Sequence, residues 1–85
     1  MQVDAAVVKE QGVTFAVVVV HEAALRGADR DDLANQLSPA WGGVPVVLMA
    51  QNDRETSTYF GRPDLVQFLR NVPIEALPWS KWTIN

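Results

Sequence analysis

The sequence predicts a single α+β domain over residues 1–85, with the element order ββαββα and a short C-terminal strand or extension. Two apolar runs, at residues 13–20 and 44–50, are typical of buried strands, and an amphipathic segment of helical periodicity follows each run. A chain of 85 residues has room for one core. We therefore expect a four- or five-stranded, mainly antiparallel sheet with two helices on one face.

The first predicted element is a β-hairpin. Residues 3–9 are rich in alanine and valine, and the run V-T-F-A-V-V-V-V follows at residues 13–20. The segment E-Q-G lies between them, and its Gly12 can adopt a positive φ without steric cost. These two strands should pair through a tight turn.

The first helix is predicted to follow a single helical turn at residues 23–27. Asp29 suits the N-cap, and Asp31 and Asp32 fall in the first turn, where the helix dipole favours negative charge. Pro39 should end the helix, because the residue before a proline is pushed out of the helical region.

A second hairpin and a second helix are predicted in the C-terminal half. Residues 44–50 and 56–60 are β-prone, and polar turn residues separate them. Pro63 suits the first position of a helix, and an apolar stripe follows it. The stripe consists of Leu65, Val66, Phe68 and Leu69. If residues 56–60 form a loop instead, the alternative is a β-α-β-α-β mixed sheet.

Both faces of the central strands are apolar, which indicates that both are covered. Two helices of about nine residues, each about 13 Å long, cover one face of such a sheet. The other face is then expected to meet a second copy of the chain, a different protein, or the C-terminal tail. The residues predicted at this interface are Val18, Val20, Val47, Met49, Trp79 and Trp82.

Composition excludes several classes of function. The net charge is -3, and the seven Lys and Arg residues form no basic stripe, which argues against binding nucleic acid or an anionic membrane surface. The longest apolar run is far shorter than the ~20 residues that span a bilayer. We expect a cytoplasmic protein. The absence of cysteine excludes disulfides and thiolate chemistry.

A polar stretch at residues 54–64 runs into the predicted helix at Pro63 and suggests an anion-binding site. Arg54, Tyr59 and Arg62 are its candidate ligand-binding residues, with His21, the one histidine, at the end of the strand run. No phosphate-binding glycine motif or nucleophile motif accompanies them. No catalytic residue, metal ligand or cofactor is therefore predicted.

Three functional hypotheses follow from the sequence. The first is a homo-oligomeric binding or regulatory module that associates through an apolar sheet face. The second is a small-anion-binding or enzymatic protein, which requires Arg54, Tyr59, Arg62 and His21 to converge in one pocket. The third is an accessory subunit whose apolar face meets a different protein.

Overall fold

The computed structural model of the chain describes residues 2–10, 12–27, 29–51 and 57–84. Over these residues it contains one five-stranded sheet and three α-helices, which confirms the predicted α+β domain. The strands are β1 (Gln2–Glu10), β2 (Val13–Val19), β3 (Val46–Gln51), β4 (Ser57–Phe60) and β5 (Trp79–Thr83). The helices are α1 (Glu22–Arg26), α2 (Arg30–Leu37) and α3 (Pro63–Arg70). Short 3₁₀ turns lie at Ser38–Trp41 and Ile74–Ala76.

The strands lie in the order β4-β3-β2-β1-β5. Both predicted hairpins are present, since β1 pairs antiparallel with β2 and β3 pairs antiparallel with β4. The C-terminal strand β5 pairs antiparallel with β1 at the far edge. Only β2 and β3, among the paired strands, run parallel, and the connection between them carries α1 and α2. The sheet is therefore mainly antiparallel, as predicted, with one parallel pair at its centre.

The two predicted helices lie on opposite faces of the sheet, so their expected position on one face is wrong. Leu37 of α2 packs with Val18 and Leu48 on one face. Leu69 of α3 packs with Phe15 on the other. The topology explains this arrangement. The chain must cross the whole sheet from β4 to β5, and the face beneath α1 and α2 is already filled, so α3 covers the face that remains.

The predicted interface residues are divided between these two faces. Val18, Val20 and Trp82 lie on the face beneath α1 and α2, whereas the other three lie on the α3 face. Val18 and Val47 are fully buried and Met49 is 2% exposed within the single chain. The apolar faces of the sheet are therefore covered by this chain's own helices, and these three residues are not available to a partner.

Strand β5 of the C-terminal tail lies at the edge of the sheet, whereas Leu77, just before β5, is buried in the core on the α3 face. The Trp79 indole N–H donates to the Ile74 carbonyl at 2.8 Å, which ties β5 to the preceding 3₁₀ turn. The Trp82 ring lies against the Trp41 ring, with centroids 5.6 Å apart and an interplanar angle of 71°. Both tryptophans are half-buried. The two tryptophans do not roof a face, because β5 extends the sheet sideways, but Ile74 and Leu77 of the same tail help to cover the α3 face.

Gly61 lies where the chain leaves β4 and passes close to β3. A Cβ atom at this position would lie 3.0 Å from Val47 Cγ2, 3.2 Å from Val47 Cα and 3.3 Å from the Val46 carbonyl oxygen. Two of these three atoms belong to the backbone of a central strand, which cannot move without disturbing the sheet. A side chain at this position is therefore disfavoured by lack of space and not by backbone conformation.

Replacing Gly61 by alanine is expected to lower the free energy of unfolding by about 1–2 kcal/mol, because overpacking forces the backbone to shift. Gly27→Ala is the matched control, since a Cβ there would meet its nearest atom, the Asp29 amide nitrogen, at 3.8 Å. This control should be neutral or stabilising by about 0.4–1 kcal/mol, because alanine restricts the unfolded chain. Urea denaturation followed by circular dichroism measures both. Equal effects of the two variants would contradict the close contact at Gly61.

Candidate ligand-binding site

A pocket of about 480 Å³ lies between the sheet and the helices α1 and α2. It is bordered by the first residues of β1, the residues that end β2, and the sides of both helices. Because β1 and β2 are antiparallel, the start of β1 lies beside the end of β2. The carboxyl end of a parallel strand is a common location for ligand sites in mixed α/β sheets. The volume also falls within the range of about 300–1,000 Å³ that is usual for small-molecule sites.

The interior of the pocket is apolar and its polar groups are exposed. Leu37, which is 2% exposed, belongs to the buried core, and Leu33 and Ala24 are half-buried. Three exposed residues, Gln2, Asp4 and His21, also line the pocket. The remaining lining residues are Val3, Val19 and Val20. This division suits a ligand with an apolar body and a polar group at the pocket mouth.

The local sequence explains the shape of the pocket. The Val20 amide donates to the Met49 carbonyl at 2.8 Å, so the backbone stays in the sheet until His21. His21 is still extended (φ −67°, ψ 146°) and forms the N-cap of α1. Its carbonyl accepts a hydrogen bond from the Ala24 amide at 2.9 Å. The chain thus turns away from the sheet just after β2, and the small side chain at Ala24 leaves space beside β1.

The start of α2 is held in place by Arg30. Its guanidinium carbon lies 4.2 Å from the centroid of the Phe60 ring of β4, a cation–π distance. Its Nη1 atom also donates to the Leu25 carbonyl of α1 at 3.3 Å. Arg30 therefore connects both helices of this face to an edge of the sheet, which fixes the helical wall of the pocket.

The described residues of the predicted anion-binding site, His21, Tyr59 and Arg62, do not form one site. His21 and Arg62 line different pockets, at opposite ends of the strands. The reason is that β4 runs antiparallel to β3, so the chain reaches Arg62 beside the start of β3 and not beside its end. Tyr59 packs on the α3 face. Arg54 lies outside the described residues. The described members of the predicted site are therefore dispersed.

Arg62 is engaged by a neighbouring carboxylate at the start of α3. Its Nε and Nη2 atoms donate to the two carboxylate oxygens of Asp64 at 3.2 and 2.9 Å. Partial desolvation raises the pKa of Asp64, but the hydrogen bonds and charge of Arg62 and the Leu65 amide lower it by more, so the net change is downward. The Asp64 carboxylate already occupies the position that an anionic ligand of Arg62 would take.

Tyr59 is another residue of the predicted anion-binding site, and its pKa departs from the ordinary value. Burial raises the pKa of its phenol. The hydroxyl therefore stays protonated near neutral pH and is not poised to act as a base. Among the described residues, no group of three or more His, Cys, Asp or Glu side chains is arranged to hold a metal ion.

The sequence places His21 at the end of the strand run, which borders this pocket, but it predicts neither the pocket nor the apolar residues that form it. Leu33, Leu37 and Ala24 share the spacing of any helix packed on a sheet, so periodicity alone assigns them to the core. Val3 and Val20 similarly resemble buried strand residues. Their role at a pocket follows from the position of α1, which depends on how the connection between β2 and β3 crosses the sheet.

Comparison of the chain with protein-family models, curated proteins and solved structures finds no match. Over the described part of the chain, no helix has the length and apolar character needed to cross a lipid bilayer. Any functional assignment therefore depends on the geometry of the chain itself.

Proposed function

We propose that this protein is a binding module for a small, mainly apolar molecule that occupies the pocket beside α1 and α2. The observation that carries the proposal is the division of the pocket into an apolar interior at Leu33 and Leu37 and exposed polar groups at Gln2, Asp4 and His21. Binding there would remove apolar surface of both ligand and protein from water, which contributes about 25 cal/mol per Å².

The polar groups indicate the class of ligand. Asp4 and Gln2 offer hydrogen-bond acceptors, while Gln2 and His21 can also donate. A single polar group on an otherwise apolar ligand can therefore be hydrogen-bonded at the mouth of the pocket and remain in contact with water. A ligand bearing several charges does not suit the site, because valine and leucine side chains form most of its interior.

The proposal is tested with the neutral fluorophore N-phenyl-1-naphthylamine, whose emission rises in an apolar environment. Ala24 and Ala23 are adjacent in α1, but only Ala24 lines this pocket, and Ala23 is exposed. Ala24→Phe should fill the space and reduce binding at least tenfold. Ala23→Phe adds the same side chain outside the pocket and should bind the fluorophore like the wild type.

Thermal denaturation of both variants provides the folding control. Chemical-shift changes on adding the fluorophore should cluster at Val20, Ala24 and Leu33. Wild-type protein that does not bind the fluorophore, or two phenylalanine variants that bind it equally well, would contradict the proposed site.

A further inference from the structure

The edge strand β5 has one side of its backbone free to pair with a further strand, over the described part of the chain. It ends the sheet on the side opposite β4, and its only neighbouring strand is β1 over the described residues. An edge strand presents backbone groups that can pair with another strand. We propose that two copies associate through antiparallel pairing of their β5 strands, with Trp82 at the two-fold axis, to form one continuous sheet.

Two hydrogen bonds establish which way the backbone groups of β2 point. The Ala16 amide donates to the Pro45 carbonyl at 3.0 Å, and the Val20 amide donates to the Met49 carbonyl at 2.8 Å. Backbone groups of successive strand residues point alternately to the two neighbouring strands. Even-numbered residues of β2 therefore bond to β3, and odd-numbered residues bond to β1.

The strand register extends this alternation to the edge. Val17 pairs with Ala6, so even-numbered residues of β1 bond to β2 and odd-numbered residues bond to β5. Ala5 pairs with Ser80, so even-numbered residues of β5 bond to β1. The backbone groups that point to the open edge belong to Trp79, Lys81 and Thr83.

Symmetry restricts how two β5 strands can pair. Residues directly opposite each other in an antiparallel pair share a face of the sheet. If a two-fold axis relates two identical strands, it must therefore pass beside one central residue, and that residue lies directly opposite the same residue of the partner strand. Within the centre of β5 the possible residues are Ser80, Lys81 and Trp82, and each choice defines a different register.

Charge and hydrogen bonding favour the register centred on Trp82. If the axis passes beside Lys81, the two positively charged Lys81 side chains lie directly opposite each other, which is destabilising. Centring on Ser80 requires the Trp79 N–H, which already donates to the Leu77 carbonyl at 2.9 Å. Centring on Trp82 pairs Lys81 with the partner's Thr83, and each such pair exchanges both of its N–H···O bonds.

Side chains on both faces suit this register. Trp82 faces the partner's Trp82 on the side of α1 and α2, and aromatic cross-strand pairs stabilise sheets. On the other face Lys81 meets a neutral threonine instead of another lysine. The opposite edge is less suitable, since β4 has four residues and only Ser57 and Tyr59 direct their backbone groups outward.

The register is tested by single-cysteine variants, because the native chain contains no cysteine. Trp82→Cys should form a disulfide-linked dimer under mild oxidation, since opposite residues there lie about 4.5 Å apart between Cα atoms. Lys81→Cys should not form one, because the two Cα atoms of residue 81 are displaced from each other by about 7 Å along the strand in this register. Ser80→Cys should not form one either, because the two Cα atoms of residue 80 are displaced by about 14 Å. The double variant Lys81→Cys/Thr83→Cys retains Trp82 and should also link. Linking through residue 80 or 81 alone would overturn the register.

Association itself is tested by sedimentation velocity over a range of concentrations. Wild-type protein should show a concentration-dependent dimer, and Thr83→Pro should weaken it at least tenfold by removing an outward N–H without breaking a bond to β1. Ser57→Pro makes the matched change on the β4 edge and should leave the dimer unchanged. A wild-type chain that stays monomeric, or a dimer weakened only by Ser57→Pro, would overturn the proposal.

Discussion

Val18→Asp is expected to prevent the chain from folding. Val18 is fully buried between Ala5 and Leu48, and no polar side chain is buried among the described residues. An aspartate there would have no partner for its charge, and an uncompensated buried charge costs about 3–5 kcal/mol in addition to the lost packing of valine. Domains of this kind have a total stability of about 5–15 kcal/mol. Circular dichroism in the absence of denaturant should show the loss of folded structure.

Thr14→Asp is the control for this variant. Thr14 lies in the same strand and is exposed. Surface substitutions of this type change stability by about 0.5 kcal/mol or less. If Val18→Asp folded normally and changed only the oligomeric state, the face beneath α1 and α2 would have to be open to a partner, as the sequence alone suggested.

The secondary structure could be predicted because its signals are local. Gly12 has a φ of 80°, as the turn of the first hairpin requires. Asp29 is the N-cap of α2, and Pro63 is the first residue of α3. Each of these features depends on neighbouring residues in the chain. Local sequence therefore carries the information for most of the strand and helix positions.

The arrangement of the helices could not be predicted because it depends on distant contacts. Strands that are apolar on both faces indicate two covered faces, but they do not say what covers them. The parallel pairing of β2 with β3 carries α1 and α2 to one face, and the crossing from β4 to β5 carries α3 to the other. The three short helices then cover both faces of a narrow sheet, and the apolar strands no longer require a second protein.

The candidate site shows the same division between local and distant information. His21 could be located at the end of β2, because the change of composition after Val20 marks the end of the strand. Grouping it with Arg62 assumed that both lie at the same end of the sheet. The antiparallel direction of β4 separates them, and this direction is a property of the strand pairing.

Phe15→Ala is expected to lower the free energy of unfolding by about 3–5 kcal/mol, the range measured for large buried aromatic residues. Phe15 is fully buried on the α3 face. Its ring meets the Phe68 ring edge-to-face, with centroids 6.3 Å apart and an interplanar angle of 87°. Removing it leaves a cavity between the sheet and α3. Urea denaturation should show a lower midpoint with an unchanged slope.

A double-mutant cycle can separate the contact with α3 from the general effect of the cavity. Phe15→Ala combined with Phe68→Leu should be less destabilising than the sum of the single variants by about 0.5–1.5 kcal/mol, because the aromatic contact is lost only once. Phe60→Leu provides the control, since Phe60 packs on the opposite face and should add independently to Phe15→Ala. Coupling of Phe15 with Phe60 in place of Phe68 would mean that α3 does not cover this face. The cycle therefore tests whether α3 covers the face of the sheet opposite α1 and α2.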